Sequence, residues 1–452
     1  MREIVFIQMG QCGNKIAEKF WEIIANEHFI NQCGHFYGDS ILPYQRLNIY
    51  FQCAQDCRFV PRCVAVDLEP TQITELKNSS VGRLFNPEYM ISGKYGAGNN
   101  FSKGHYTEGA ELMDCVLEKC RLQAENCDLL QGFQMVHSIG GGTGSGMGSL
   151  AMKCLRNDYE DRVINTFSVI PSSKISQVVT EPYNAVLGIS ELVFTTDEMI
   201  MFDNEALYNI SLASLQLPKP NHCDLNHLIS KTMAGVTTCF RYPGQLNTDL
   251  RKIMTNMCPY PRLKFFIPGY APLDSAHNNL EYKKITVKSI VQQLFSPEFR
   301  MADFECQDEK LLTCAAIFRG RVSSREVEEA MVDLQRCRKE MFARFIPNNI
   351  KTAICDVPPS GIDMSATLLS NTSAITVIFR RLIQQFDKMF EKRAFMHWYT
   401  GEGMEEEEFR RARNIVCDIC DEYYETCQFD CDEDDNSDAS ECNDECDCRT
   451  DQ

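Results

Sequence analysis

The chain has 452 residues, 44% of them apolar and 24% charged, so it can bury a large core in two or three domains. No early stretch joins a basic start, an apolar middle and a small-residue cleavage site, and no charge-free apolar run reaches membrane-spanning length, so the expectation is a cytoplasmic protein with no membrane contact. Net charge is −18, of which −10 falls between Asp430 and Gln452, a balance that argues against nucleic acid and for protein partners with basic faces. The 23 cysteines come without a secretion signal and in odd number, so most read as small buried hydrophobes rather than a disulfide framework.

Glu3-Ile4-Val5-Phe6-Ile7-Gln8-Met9 is a nearly continuous apolar run, the pattern of a strand buried on both faces. Gly10-Gln11-Cys12-Gly13-Asn14 follows, and Ile16, Phe20, Ile23 and Ile24 then mark a helix: a glycine turn opening a helix, suited to phosphate. Cys63-Val64-Ala65-Val66-Asp67-Leu68-Glu69-Pro70 predicts another inner strand, ending in two acids. Beside a polyphosphate these acids are natural Mg²⁺ partners, and capping the turn before Thr71 is an equal alternative. Gly96-Ala97-Gly98-Asn99-Asn100 is a further turn with amides to offer. Alternating strands and helices up to about residue 205 predict a doubly wound α/β domain.

The centre of this region is Gly140-Gly141-Gly142-Thr143-Gly144-Ser145-Gly146. A strand-length run, Phe133 to Ile139, precedes it. Met147, Leu150, Ala151, Cys154 and Leu155 follow at helical spacing, so free amides and a helix dipole are aimed at an anion. A P-loop would need Gly-Lys-Ser/Thr at its end, and no lysine stands there. A dinucleotide fingerprint forced onto Gly146, Gly148 and Ala151 lacks the acid expected after the next strand, Val163 to Ile170, which ends in Pro171-Ser172. A glycine-rich linker fits poorly between a strand and a helix. The third phosphate loop, GGGTGSG of the tubulin superfamily, matches at every position.

Beyond residue 205, Leu225, Leu228, Ile229, Thr232 and Val236 predict a helix with an apolar face. Strands near 263–267 and 311–318, with a charged helix at 324–338, predict a second, α+β domain. Ile375, Ile378, Phe379, Leu382, Ile383, Phe386, Met389 and Phe390 give a long amphipathic helix. A turn at Thr400-Gly401-Glu402-Gly403 separates it from a second helix starting at Glu405. Beyond Gln428 the composition is too charged to bury a core, so a disordered acidic tail is expected. The expected units are a phosphate-binding α/β domain at 1–205, an intermediate α+β domain at 206–372, a C-terminal helical layer at 373–428 and the tail at 429–452.

Along almost its whole length the sequence resembles β-tubulin. The resemblance rests on Met1-Arg2-Glu3-Ile4, Gly10-Gln11-Cys12-Gly13-Asn14, Val66-Asp67-Leu68-Glu69-Pro70, Gly96-Ala97-Gly98-Asn99-Asn100, Lys103-Gly104-His105-Tyr106-Thr107-Glu108-Gly109 and the GGGTGSG loop. It continues through Glu181-Pro182-Tyr183-Asn184, Asp203-Asn204-Glu205-Ala206-Leu207, Asp224-Leu225-Asn226-His227, Pro243-Gly244-Gln245-Leu246-Asn247, Ile346-Pro347-Asn348-Asn349 and His397-Trp398-Tyr399-Thr400-Gly401-Glu402-Gly403. The resemblance implies GTP or GDP with Mg²⁺. Gln11, Cys12, Asn99, Ser138, Gly142, Thr143 and Gly144 would surround the phosphates, Glu69 would serve the metal, Glu181 would meet the ribose, and Asn204 and Asn226 would read the guanine. It also implies a heterodimer with α-tubulin that polymerises into cytoplasmic microtubules. Microtubule-associated proteins and motors would dock on the C-terminal helices and tail. Where α-chains carry a glutamate that activates water on the neighbour's GTP, Asp249-Leu250-Arg251-Lys252 has lysine, which cannot serve as a base at neutral pH. The chain alone is therefore expected not to be an enzyme, with hydrolysis completed in trans.

Departures from the family pattern are Gln177 in place of an aspartate near the ribose, His222 in place of an aromatic on the guanine, and a loop at 274–281 longer by about one residue, with His277-Asn278-Asn279. Cys417, Cys420, Cys427, Cys431, Cys442, Cys446 and Cys448 leave a thiolate metal site and a redox-labile surface both open. Glu433, Glu441 and Glu445 are the candidate tail modification sites. These departures leave room for a divergent β-like chain that alters or limits assembly.

Overall fold

The computed structural model describes residues 2–441 except 55, 173–175, 177, 218, 245–248, 274–285 and 304–308, with side chains up to residue 427. The strands are β1 (Glu3–Met9), β2 (Phe51–Cys53), β3 (Phe59–Pro61), β4 (Cys63–Asp67), β5 (Met90–Ser92), β6 (Leu130–Ser138), β7 (Val163–Ile170), β8 (Glu198–Asp203), β9 (Phe265–Ala271), β10 (Leu311–Gly320), β11 (Ile350–Cys355) and β12 (Met364–Thr372). Ten of them form one sheet in the order β11-β10-β12-β9-β8-β7-β6-β1-β4-β5, and β2 pairs with β3 as a separate ribbon.

From β8 to β5 every pairing is parallel. Helices therefore cover both faces, and the period of two in β1 divides its side chains between two cores. Val5, Ile7 and Met9 point to one side. Ile4 and Phe6 point to the other, where Ile16, Phe20, Trp21 and Ile24 of the helix Gly10–Glu27 meet them. The helix His222–Val236 closes this second core with Leu225, Leu228, Ile229, Met233 and Val236, and Ser230 Oγ donates to Ile16 O at 3.0 Å.

The second region is mixed: β12 runs antiparallel to both β9 and β10, and β11 runs parallel to β10. It joins the first through Met199–Phe265 and Ile200–Phe266, the recorded register of β8 on β9. The helices Ile375–Phe390 and Glu406–Glu441 lie over the first core. Ile375, Ile378, Phe379, Leu382, Ile383 and Phe386 are buried at helical spacing, together with Phe409, Val416, Ile419 and Tyr423. The last helix continues to Glu441, past the boundary that composition suggests at Gln428.

Candidate functional site

β1 and β6 are neighbours, yet the chain leaves them in opposite directions across the sheet, β1 toward β4 and β6 toward β7. Such a reversal opens a crevice at the carboxyl ends of the strands. Both glycine turns lie there. Gly10 has φ +74°, a left-handed backbone, and a Cβ on it would stand 3.3 Å from Gly144 N, so the two turns touch. The helix Gly10–Glu27 begins with no side-chain cap and no acid in its first turn. After β6, Gly140 to Gly142 lead into one wide π-helical turn, Thr143–Met147, and then the helix Gly148–Asp158, again without a capping side chain or an early acid. Two sets of helix-start amides are left to an anion.

Two buried side chains hold these loops in place. His137 Nδ1 lies 2.8 Å from Gly144 O and its Nε2 lies 2.8 Å from Ser168 Oγ. Burial drives its pKa down to about 4, so a neutral ring supports the loop. Asn184 Nδ2 donates to Asn99 O at 2.8 Å and to Gly140 O at 2.9 Å, clipping the 96–100 turn to the glycine loop. Its Oδ1 accepts from Phe101 N at 3.0 Å and Tyr399 OH at 2.7 Å. The sequence motif contains Asn184, but nothing in its spacing signals this role.

The cavity between the turns measures about 680 Å³. Gln11, Cys12, Glu69, Asn99, Ser138, Gly142, Thr143, Gly144 and Glu181 all line it, joined by Asp67, Thr71, Lys94 and Tyr95. Asn204 and Asn226 do not. Asn204 opens the helix Asn204–Ala213 after β8, and Asn226 lies in the first turns of His222–Val236, whose exposed first residue is His222. Gln177, Gln245 to Asn247, the 274–281 loop and Cys442, Cys446 and Cys448 lie outside the described residues, as do the side chains of Cys431, Glu433, Glu441 and Glu445. Cys420 is buried and Cys417 half-buried, and no cluster of three or more metal-ligating side chains occurs among the described residues.

The cavity is acidic. Asp67 is 3% exposed; its Oδ1 accepts from Glu69 N at 3.3 Å and its Oδ2 has no hydrogen-bond partner among the described residues. Burial, with the nearby charge of Glu69, pushes its carboxyl up to about 6. Glu69 accepts from Thr71 Oγ1 at 3.1 Å. Burial raises Glu181 as well. A desolvated carboxylate with an unused oxygen next to a second carboxylate fits a hard divalent cation, which would take its remaining ligands from phosphate and water. Burial pushes the Cys12 thiol up to about 12, so at neutral pH it is an uncharged wall rather than a nucleophile.

Glycine turns opening two uncapped helices over a carboxylate pair describe an α/β protein with a cavity suited to a nucleoside polyphosphate. Comparison with known families narrows the class. Residues 3–211 match the Tubulin/FtsZ family GTPase domain and residues 261–384 match the tubulin C-terminal domain. The chain belongs to the tubulin family and is a GTP-binding protein of the cytoskeletal class. No described helix is long and apolar enough to cross a membrane.

Proposed function

We propose that the chain is a β-type tubulin subunit that holds exchangeable GTP with Mg²⁺, pairs with α-tubulin and polymerises into cytoplasmic microtubules. The supporting observation is the polarity of the sheet. The nucleotide cavity lies at the carboxyl ends of β1, β4 and β6. The helix Leu250–Met257, with Lys252 exposed on it, is tied to the amino ends: Arg2, just before β1, pairs with Asp249, and Arg251 donates to Asp161 O, just before β7, at 2.9 Å. In a head-to-tail stack that helix faces the cavity of the next subunit, never its own. A lysine there supplies no base, so the water-activating acid for this chain's GTP comes from the α-subunit that caps its cavity.

Within this proposal Gln11, Cys12, Asn99, Ser138, Gly142, Thr143 and Gly144 hold phosphates, Glu69 serves Mg²⁺, Glu181 meets the ribose, and Asn204 and Asn226 read the base. Asparagine suits guanine because one amide both donates and accepts. The acidic last helix and tail carry associated proteins and motors, and the chain divides at 205, 372 and 428. GTP turnover by the chain alone, and by the chain co-assembled with α-tubulin, tests the division of labour. Negligible turnover alone and turnover tied to polymer is the expected result; brisk multiple turnover by the unassembled chain contradicts it.

A further inference from the structure

Lys94 is the one cation among the described residues that line the cavity, against the carboxylates of Asp67, Glu69 and Glu181. Backbone contacts, not its own side chain, set its place. Gly93 N donates to Asp67 O at 2.8 Å and Gly96 N donates to Leu68 O at 3.1 Å, so the turn bearing Lys94 is strapped along the end of β4, beside the metal carboxylates. A Cβ on Gly96 would stand 3.9 Å from that of Glu69. The Lys94 side chain is exposed and forms no ion pair or hydrogen bond among the described residues. Glu181 opens a different element, the helix Glu181–Thr195, which follows β7 rather than β4.

A triphosphate adds negative charge to a cavity already lined with acids. Helix-start amides and one Mg²⁺ offset part of it. Asp67 and Glu69 would hold a Mg²⁺ that offsets phosphate charge beside them, and a cation strapped to the same strand end would meet the terminal phosphate. We infer that Lys94 is a specificity-determining residue for the nucleotide state: its ammonium binds the terminal phosphate and lets the cavity favour a triphosphate over a diphosphate. This inference rests on the guanine-nucleotide assignment of the cavity. A charge-assisted contact of this kind sets the size of the effect, about tenfold in affinity.

Equilibrium competition of GTP and of GDP against a fluorescent guanine nucleotide on the full-length chain tests it, at fixed Mg²⁺ and again with a chelator. Lys77→Gln, which removes the same charge from the exposed last turn of the helix Pro70–Asn78, is the control. Lys94→Gln is expected to weaken GTP about tenfold and leave GDP within about twofold, and to lose more GTP affinity than wild type when Mg²⁺ is withdrawn. An unchanged GTP-to-GDP ratio in Lys94→Gln, with both nucleotides still bound, overturns the role of Lys94 and leaves the nucleotide site standing. A parallel loss of both nucleotides overturns it too, because the lysine then serves the shared phosphates or the fold. Failure of wild type to bind either nucleotide overturns the site and the role of Lys94 together.

Discussion

Glu27 and Asp67 are both buried carboxylates, at the ends of neighbouring elements of the first domain, and they do opposite work. Glu27 ends the helix Gly10–Glu27 and meets two buried guanidiniums, Arg241 Nη1 at 2.6 Å and Arg319 Nη1 at 3.0 Å. Burial alone would raise its pKa, but the charges and hydrogen bonds of Arg241 and Arg319 outweigh this and lower it. Arg319 lies on β10 and Arg241 follows the helix His222–Val236, so one carboxylate ties the first domain, the core helix and the second region together. Asp67 forms no ion pair among the described residues, and burial raises its pKa. A buried acid whose charge is already matched is structural, whereas one left unmatched at a strand end is suited to a cation from outside the chain.

The largest test of this contrast is Glu27→Gln. It strands Arg241 and Arg319 in the interior, and a loss of about 3–5 kcal/mol is expected in urea unfolding. Replacing all three with apolar residues of similar volume should cost less than the single change. Asp67→Asn is expected to do the reverse. Thermal stability stays level or rises, because an unmatched buried charge is removed, while GTP affinity in Mg²⁺ falls at least about tenfold, and chelation erases the difference from wild type. A stability loss on the scale of Glu27→Gln would place Asp67 with the structural acids instead.

The pH dependence follows from the same pair of partners. Because the folded pKa of Glu27 is lowered, its stabilisation is fully present above the ordinary glutamate value and is lost as pH falls through the folded one. Urea midpoints should therefore fall more steeply on the acid side in wild type than in Glu27→Gln. Smallest of all is Cys12→Ala, expected to shift GTP affinity by less than about twofold, since its thiol is a neutral wall. Alkylation of Cys12 at mildly alkaline pH should lag behind that of exposed Cys33 or Cys223.

What was legible in the sequence was local and periodic. β7 matches the expected Val163 to Ile170 because an eight-residue run buried on both faces has no competing pattern. The helix Ile375–Phe390 shows its face at i, i+3, i+4 and i+7. The strand expected near 263–267 lies instead at Phe265–Ala271, because Pro268 and Gly269 mask the run yet are accommodated opposite Leu369 and Leu368 of β12. The join of β8 to β9, the Glu27–Arg241–Arg319 cluster and the Asn184 clip each link residues far apart in sequence, so no window of sequence contains them. At the site, the glycine loops and the acid pair were readable from motif and strand end. Lys94 was not, because a single lysine after a short strand has no signal until the fold places it at the cavity wall.

The most direct test is GTP-dependent co-pelleting of the full-length chain with an α-tubulin partner, following both through pellet and supernatant. Stoichiometric recovery in the pellet with GTP, and not with GDP, is the expected result. A chain that binds GTP and α-tubulin yet stays in the supernatant would contradict its role as a building block of the polymer.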